Sequence, residues 1–374
     1  MNDSFDRILF GPRDLDPQQL PVSQAVGEQT YVLGAFNPGL CRLPNGNLLL
    51  MVRVAEALTE ACREDAIRII RYNCLTDSFQ LDSYPARDLD FTDPRKYRFK
   101  NEGEVYALTS LSWLLPVELD PEGTRVLEVH YDKMILPKHC FEEYGIEDAR
   151  ITQVEDTYYM TVCAVASDRH STALYRSEDG LHYDCLGVIL DHQNKDMVLF
   201  PEKVNGLYHA LTRPQGELYF KESRADIIPG PSINLASSPD LLHWRPLTQV
   251  LVRPQKGTLL SRKVGGGAPP IRMDDGWLIL YHAVSEDGVA GHYRTVWMVL
   301  DAADPQRIIH AELETPILES KPALTADYED AIYLPHIVFT TGMVPAADHL
   351  IVASGELDLC CRITHIPRSV FQTR

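Results

Sequence analysis

Glu147 and Asp148 stand at the mouth of an apolar, β-prone run, YGIEDARITQVEDTYYMTVCAVASDRH (144–170), and Arg169 and His170 stand at its end. Cleaving a glycosidic bond requires a carboxyl that delivers a proton to the leaving oxygen, directly or by relay, and this acidic pair is of that type. The plainer reading of Glu147, Asp148 and Arg150 is a polar turn closed by an ion pair. Downstream, FPEKVNGLYHALTRP adds Lys203 and Arg213 across a hairpin signalled by Asn205-Gly206. An arginine offers a planar fork to oxyanions and a lysine a point charge, so with Arg169 they could hold phosphate or a carboxylate. Otherwise they are surface charges, or partners for Glu202 and Asp196.

A third segment, KVGGGAPPIRMDDGWLILYHAV, carries Gly265-Gly266-Gly267, which permits close backbone approach to a ligand. It is no phosphate loop of the nucleotide-binding kind, because neither Gly-Lys-Ser/Thr nor a helical pattern follows. Pro269-Pro270 ends it and sets the next strand. His282 closes LILYH and Tyr293 lies in GHYRTVWMVL; taken singly, each reads as a structural strand residue. The 13 histidines show no HExxH and no regular spacing with cysteine, and GxSxG is absent, so we expect neither a metal nor a serine nucleophile.

Such scattered residues need a fold that gathers them. Helical periodicity is scarce. A short turn followed by an apolar or β-branched run recurs instead: NGNLLLMVRVA (45–55), EDTYYMTVCAVA (155–166), NGLYHALTRP (205–214), DGWLILYHAV (275–284) and ADHLIVASGELD (347–358). A second pattern, Ser-x-Asp-x-Leu-His-aromatic, begins at Ser177 and again at Ser238. Repeated hairpin units in an all-β chain predict a five-bladed β-propeller, a single domain with a central active-site channel. Its innermost strands would bring Asp148, Arg169, Lys203, Arg213 and His282 into one pocket. The long interval after the first unit must hold extra material, including RDLDFTDPRKYRFKNEGE. No Gly/Ser- or Pro-rich linker divides residues 1–374, and the first ~30 read as an extension of that domain.

The net charge of −18 argues against nucleic acid, whose phosphate backbone needs a basic surface. It leaves room for a small anion in a local basic pocket. The N-terminal stretch lacks a signal pattern and no run reaches the ~18 apolar residues of a membrane span, so a cytoplasmic location without membrane contact is expected. The eight cysteines are scattered, without a CxxC pair, and read as mostly reduced. Self-association into a homo-oligomer is left open.

In chain order, these segments resemble glycoside hydrolase family 130, the β-mannoside phosphorylases and related β-mannosidases. FNPGLCRLPNGNLLLMVRV is similar to that family's first-strand motif, GIEDARIT to its Glu-Asp-Pro-Arg motif, and NKDMVLFPEKVNGLYHALTRP is the most specific match. INLASSPDLLHW, GGGAPPI…GWLILYH and ADYEDAIYLPHIVFTTG follow in the family's order. The resemblance runs from about 33 to about 360 and agrees with a five-bladed propeller.

The resemblance implies roles. Asp148 takes the general-acid position, acting through a sugar hydroxyl, usually O3 of the mannose. Arg169, Lys203, Arg213, His282 and Tyr293 would bind phosphate. Asn37, Arg53, Arg150 and Asp358 would hold the mannoside. No cofactor is implied beyond inorganic phosphate as co-substrate with a manno-oligosaccharide. The family's hydrolases replace part of the basic set with acidic residues. Here Arg169, Lys203, Arg213 and His282 stay basic or neutral, which favours inverting, reversible phosphorolysis to α-mannose 1-phosphate over an inverting β-mannosidase. A non-catalytic carbohydrate-binding propeller is the third alternative. Two departures, Ala149 for the usual Pro and ASGELD for Tyr-Gly-Ala-Ala-Asp, favour β-1,2 over β-1,4 linkage.

Overall fold

The computed structural model describes residues 5–102, 105–190, 192–215, 231–274 and 276–372. The chain opens with β1 (Asp6–Phe10) and α1 (Pro21–Val26), the one α-helix among the described residues. Antiparallel strands β2 (Thr30–Arg42) and β3 (Leu48–Leu58) follow. An insertion then adds two three-stranded sheets. The first holds β4 (Cys62–Arg63), β5 (Ala66–Asn73) and β6 (Ser78–Pro85); the second holds β7 (Leu89–Asp90), β8 (Lys96–Phe99) and β9 (Tyr106–Leu108). This is the extra material that the long first interval predicts. β10 (Leu111–Leu119) returns beside β3, and β11 (Val126–Val129) completes the first four-stranded unit.

Four more units repeat that plan. The second is β12 (Gly145–Val154), β13 (Thr157–Val165), β14 (His170–Ser177) and β15 (Asp184–Val188), joined to the first in one eight-stranded sheet by a parallel pairing of Ser112 in β10 with Gly145 in β12. The third is β16 (Asn194–Leu199), β17 (Tyr208–Pro214), β18 (Ile233–Ser238) and β19 (Arg245–Val252). In the fourth, β20 (Lys263–Gly266) and β21 (Ile271–Met273) both pair with β22 (Gly276–Ser285), followed by β23 (His292–Asp301) and β24 (Ile308–Ala311). The fifth is β25 (Val338–Pro345), β26 (His349–Glu356) and β27 (Cys360–Pro367). Its outer strand is β1, paired antiparallel with β27. Within the first ~30 residues, read from the sequence as an extension, Asp6–Phe10 is thus an integral strand of the fifth sheet. Arg362, fully buried, donates from Nε and Nη2 to the two carboxylate oxygens of Asp6, at 2.7 and 2.9 Å.

Continuous apolar runs make these strands because both faces are covered. In β3 only Arg53 escapes full burial, and every residue of β10 is buried. The core lies between units. Val52 and Trp113 of the first pack with Ile351 and Ile363 of the fifth. Met51 and Leu114 pack with Ile151 and Met160 of the second. Leu174 meets Leu199 and Ala210 of the third, and Leu211 and Leu235 meet Ile279 and Met298 of the fourth. Leu280 and Val299 meet Val338 and Val352 of the fifth. The series thus returns to its start. First strands also adjoin: β2 lies against β12 and β25, and β16 against β12 and β20.

The turns follow their chemistry. Asn205 and Gly206 both take positive φ, 52° and 81°, as a two-residue hairpin turn demands. In the repeated Ser-x-Asp pattern, Asp179 Oδ1 accepts from the backbone N–H groups of Leu181 and His182, and Asp240 Oδ1 does the same for Leu242 and His243. Of the predicted Asp275-Gly276 turn, Asp275 lies outside the described residues. One disulfide, Cys74–Cys140, corrects the reduced reading for that pair, while the other six cysteines are free. Sequence spacing could not show it, because folding of the insertion against the segment before β12 brings together residues 66 apart. No helix among the described residues is long and apolar enough to cross a membrane.

Candidate active site

Three first strands share one irregularity. The pairing register skips between Phe36 and Gly39 in β2, between Glu147 and Arg150 in β12, and between Lys195 and Val198 in β16. The residues left over include Asn37, Asp148 and Asp196, with φ of 48°, 52° and 54°. Asn and Asp tolerate this left-handed conformation best among residues with a Cβ, and such bulges re-aim a side chain out of the strand's alternation. The bulges turn one polar side chain per unit toward a shared cavity of about 400 Å³.

On one side of the cavity, Asp148 Oδ1 accepts from Asn37 Nδ2 at 2.9 Å and from Arg53 Nη1 at 3.0 Å. Arg53 Nη2 donates to Glu147 Oε1 at 2.8 Å and its Nε to Ser112 Oγ at 2.9 Å. Lys195 Nζ donates to Glu147 Oε2 at 3.1 Å. Burial works to raise the Asp148 pKa, but the charges of Arg53, Arg150 and Lys195 and the Asn37 hydrogen bond outweigh it and hold the carboxyl at about 2. Asp358, on the same cavity wall, has no ion-pair partner among the described residues. Burial lifts its pKa to about 6; Arg53 opposes this, and the charge of Asp148 adds to it.

The other side is cationic. Arg213 Nη1 lies 2.7 Å from Asp196 Oδ2 and donates to His282 Nε2 at 2.9 Å. Lys263 reaches in from β20, with Nζ 4.9 Å from the centre of the Tyr293 ring. It has no carboxylate partner among the described residues. Burial, with Arg213, Arg262 and Arg95 around it, pushes its ammonium down to about 7. Tyr293 keeps its proton, its pKa raised to about 12 chiefly by burial. Six Lys and Arg residues line the cavity against four carboxylates, in a chain of net charge −18.

Asn37, Arg53, Asp148, Arg213, Tyr293 and Asp358 thus meet at the cavity, as expected from the sequence. Four others do not line it. Arg169 lies in the turn before β14, its side chain 55% exposed and paired with Asp168 at 3.4 Å. Lys203 sits exposed at the far end of its hairpin, over the Tyr208 ring. Arg150, 1% exposed, works behind the wall: Nε donates to the Gly267 carbonyl at 2.7 Å and Nη1 to the carbonyl of Asp148 itself. His282 is fully buried behind Arg213, and burial with the nearby Arg213 and Lys263 keeps it neutral. The three glycines approach protein rather than ligand. A Cβ on Gly265 would come within 2.4 Å of Asp196 Oδ2 and of His282 Cε1, and one on Gly267 within 2.5 Å of the Leu280 carbonyl.

Sequence reading missed Lys195, His170, Lys263 and Arg95. The turn alone does not give Lys195: folding back at Asn205-Gly206 would set Arg213 opposite Val198, and register shifts, one of them between Lys195 and Val198, bring it opposite Lys195 instead. His170 is the neighbour of Arg169 and faces the cavity, where the Lys195 charge and then burial bring its pKa to about 4. Among the described residues, two groups away from the cavity could hold a metal ion by geometry, His139/Glu142/Cys185 and Glu118/Glu128/His130. Their buried carboxylates are already engaged: Glu142 Oε2 accepts from the N–H groups of Lys138 and His139, and Glu118 Oε1 from Asn45 and Asn47.

Comparison with known proteins places this geometry. The model of glycoside hydrolase family 130, described as beta-1,4-mannooligosaccharide phosphorylase, matches residues 117–373. Beta-1,2-mannobiose phosphorylase of Listeria innocua is 34% identical over 354 residues, covering 94% of this chain and 91% of that protein. A 1,2-beta-oligomannan phosphorylase of Thermoanaerobacter sp. is 34% identical over 231 residues, covering 61% of this chain and 70% of the relative. The solved Listeria innocua enzyme, in complex with beta-1,2-mannobiose, superposes with a TM-score of 0.82 at 31% identity, covering 99% of this chain and 98% of that one. The chain belongs to glycoside hydrolase family 130.

Proposed function

We propose that the protein is an inverting phosphorylase of β-linked mannosides, transferring a mannosyl group to inorganic phosphate. The observation that carries this reading is Lys263, an ammonium crowded by guanidinium groups, without a carboxylate partner among the described residues, in a cavity with surplus positive charge. Such a site is costly until an anion fills it. Phosphate held by Lys263, Arg213 and Tyr293 would face Asp148 across the sugar. A phosphate oxygen attacks the anomeric carbon from the α face, the β-glycosidic C–O bond breaks, and the leaving oxygen takes a proton from Asp148, directly or through a sugar hydroxyl. The products are α-mannose 1-phosphate and the shortened acceptor, and the step is reversible. In the ligand-free protein Asp148 is ionised. An incoming phosphate offsets the cations that hold it so, which raises its pKa toward that of a donor.

The β-1,2 linkage is the reading supported by relatives so named that span most of the chain. We also read the five units as blades of a propeller around the cavity. The cyclic order of the inter-unit cores and the closure of the fifth sheet by β1 support this.

Asp358 favours a second reading, an inverting hydrolase. Its pKa of about 6 and the lack of an ion-pair partner among the described residues suit a base that activates water. Incubation with β-1,2-mannobiose separates the two. Phosphorolysis yields mannose 1-phosphate in proportion to added phosphate, whereas equal release of mannose with and without phosphate overturns it. Asp148→Asn should abolish turnover with the fold intact by circular dichroism; appreciable activity would remove Asp148 as the acid.

A further inference from the structure

The segment FTDPRKYRF belongs to the insertion and to none of the five units. Yet Arg95 lines the cavity. We propose that Arg95 is a phosphate-binding residue supplied by the insertion, completing an oxyanion site otherwise built by Arg213 of the third unit and Lys263 and Tyr293 of the fourth. This rests on the phosphorylase reading.

The geometry supports a presenting role. Asp93 holds one edge of the guanidinium: Nε donates to Oδ1 at 2.9 Å and Nη2 to Oδ2 at 2.8 Å. A guanidinium has five N–H donors, so three remain for the cavity. The backbone is pinned as well. Arg95 N–H donates to Asp93 Oδ1 at 3.0 Å, the Arg95 carbonyl accepts from Thr109 N–H at 3.1 Å, and Thr109 Oγ1 donates to the Pro94 carbonyl at 3.0 Å. A fork locked at one edge loses little freedom when the other binds, which favours a planar oxyanion contact. Arg95 lies near enough to Lys263 to lower its pKa and near enough to Asp358 and Tyr293 to interact with both, so it reaches the cationic side while facing the acidic wall.

The insertion carrying Arg95 is itself anchored. Ile67, Ile69, Leu89 and Ala107 form its own small core, with Tyr144 packed against it from just before β12. The Tyr72 N–H donates to the Glu143 carbonyl at 2.8 Å, and the Cys74–Cys140 disulfide ties the same two segments. The arginine is therefore docked on the segment that leads into Asp148.

The test is steady-state kinetics of the full chain with phosphate and β-1,2-mannobiose varied independently. Arg95→Ala should raise the phosphate KM at least about tenfold, the scale of one lost charge-assisted hydrogen bond, with the mannobiose KM changed less than about threefold. Arg95→Lys should recover only part of the loss, since an ammonium cannot reproduce the fork. Asp93→Asn, which frees the guanidinium but keeps its charge, should fall between. Inorganic phosphate should raise the melting temperature of Arg95→Ala less than that of the wild type, a readout independent of turnover. An unchanged phosphate KM in Arg95→Ala, or a mannobiose KM that moves as much, overturns the assignment while leaving phosphorolysis standing. A wild-type enzyme indifferent to phosphate overturns both.

Discussion

Lys263 allows a quantitative prediction. Its pKa near 7 means that the free enzyme carries a charged Lys263 below neutrality and a neutral one above it. A bound dianion requires the charged form, so its affinity is present below pH 7 and fades as pH rises through that value. Apparent affinity scales with the competent fraction. That fraction falls from about nine-tenths at pH 6 to about one-tenth at pH 8, so dianion binding should weaken about tenfold over that interval. Phosphate itself titrates near neutrality, so sulfate, dianionic throughout, is the better probe. The assay is the inhibition constant of sulfate, competitive with phosphate, from pH 6 to pH 8. Lys263→Arg stays charged over this range and should remove the tenfold slope. Asp358, near 6, adds a smaller slope to both proteins, and His170, near 4, adds none, so the difference between the two curves isolates Lys263. Parallel curves would refute the assignment of a depressed, anion-facing Lys263.

Other consequences follow from placement. Arg213→Ala should raise the phosphate KM by roughly 10- to 100-fold, while Arg169→Ala and Lys203→Ala should leave it within about twofold; a large effect from either exposed residue would contradict the geometry. Gly265→Ala drives a methyl group into Asp196 and His282 and should cost about 1–3 kcal/mol in stability while lowering turnover, read by thermal melting and initial rates. Reducing Cys74–Cys140 opens a loop of 66 residues, for which chain entropy sets a ceiling of about 4 kcal/mol; a melting temperature indifferent to reductant would show that the link contributes nothing.

Much of the site was legible because its residues sit on recurring strand motifs. FNPG, EDAR and KDMV share an Asn or Asp at the bulge of a first strand, and two of those three residues, Asn37 and Asp148, were picked out from the sequence. Asp196 was read only as a salt-bridge partner. Arg169 and His170 show how fine the margin is. Adjacent residues entering a strand point opposite ways, so reading Arg169 rather than His170 put the wrong side chain in the cavity. Lys203 failed for a related reason. From Tyr208 to Arg213 the strand β17 rises about 17 Å, which separates the turn carrying Lys203 from the cavity end of the hairpin.

The amino-acid order alone determined the β-class, the repeated hairpins, the extra material after the first unit and the position of the Glu147-Asp148 pair at a strand that meets the cavity, because each is written in local alternation, turn residues and short motifs. Tertiary structure decided which cations face the acid, that β1 closes the last sheet, and that an insertion arginine and a disulfide belong to the site's surroundings. Those outcomes depend on register and on contacts between segments tens to hundreds of residues apart, which local sequence does not encode even where an Asn or Asp marks the bulge.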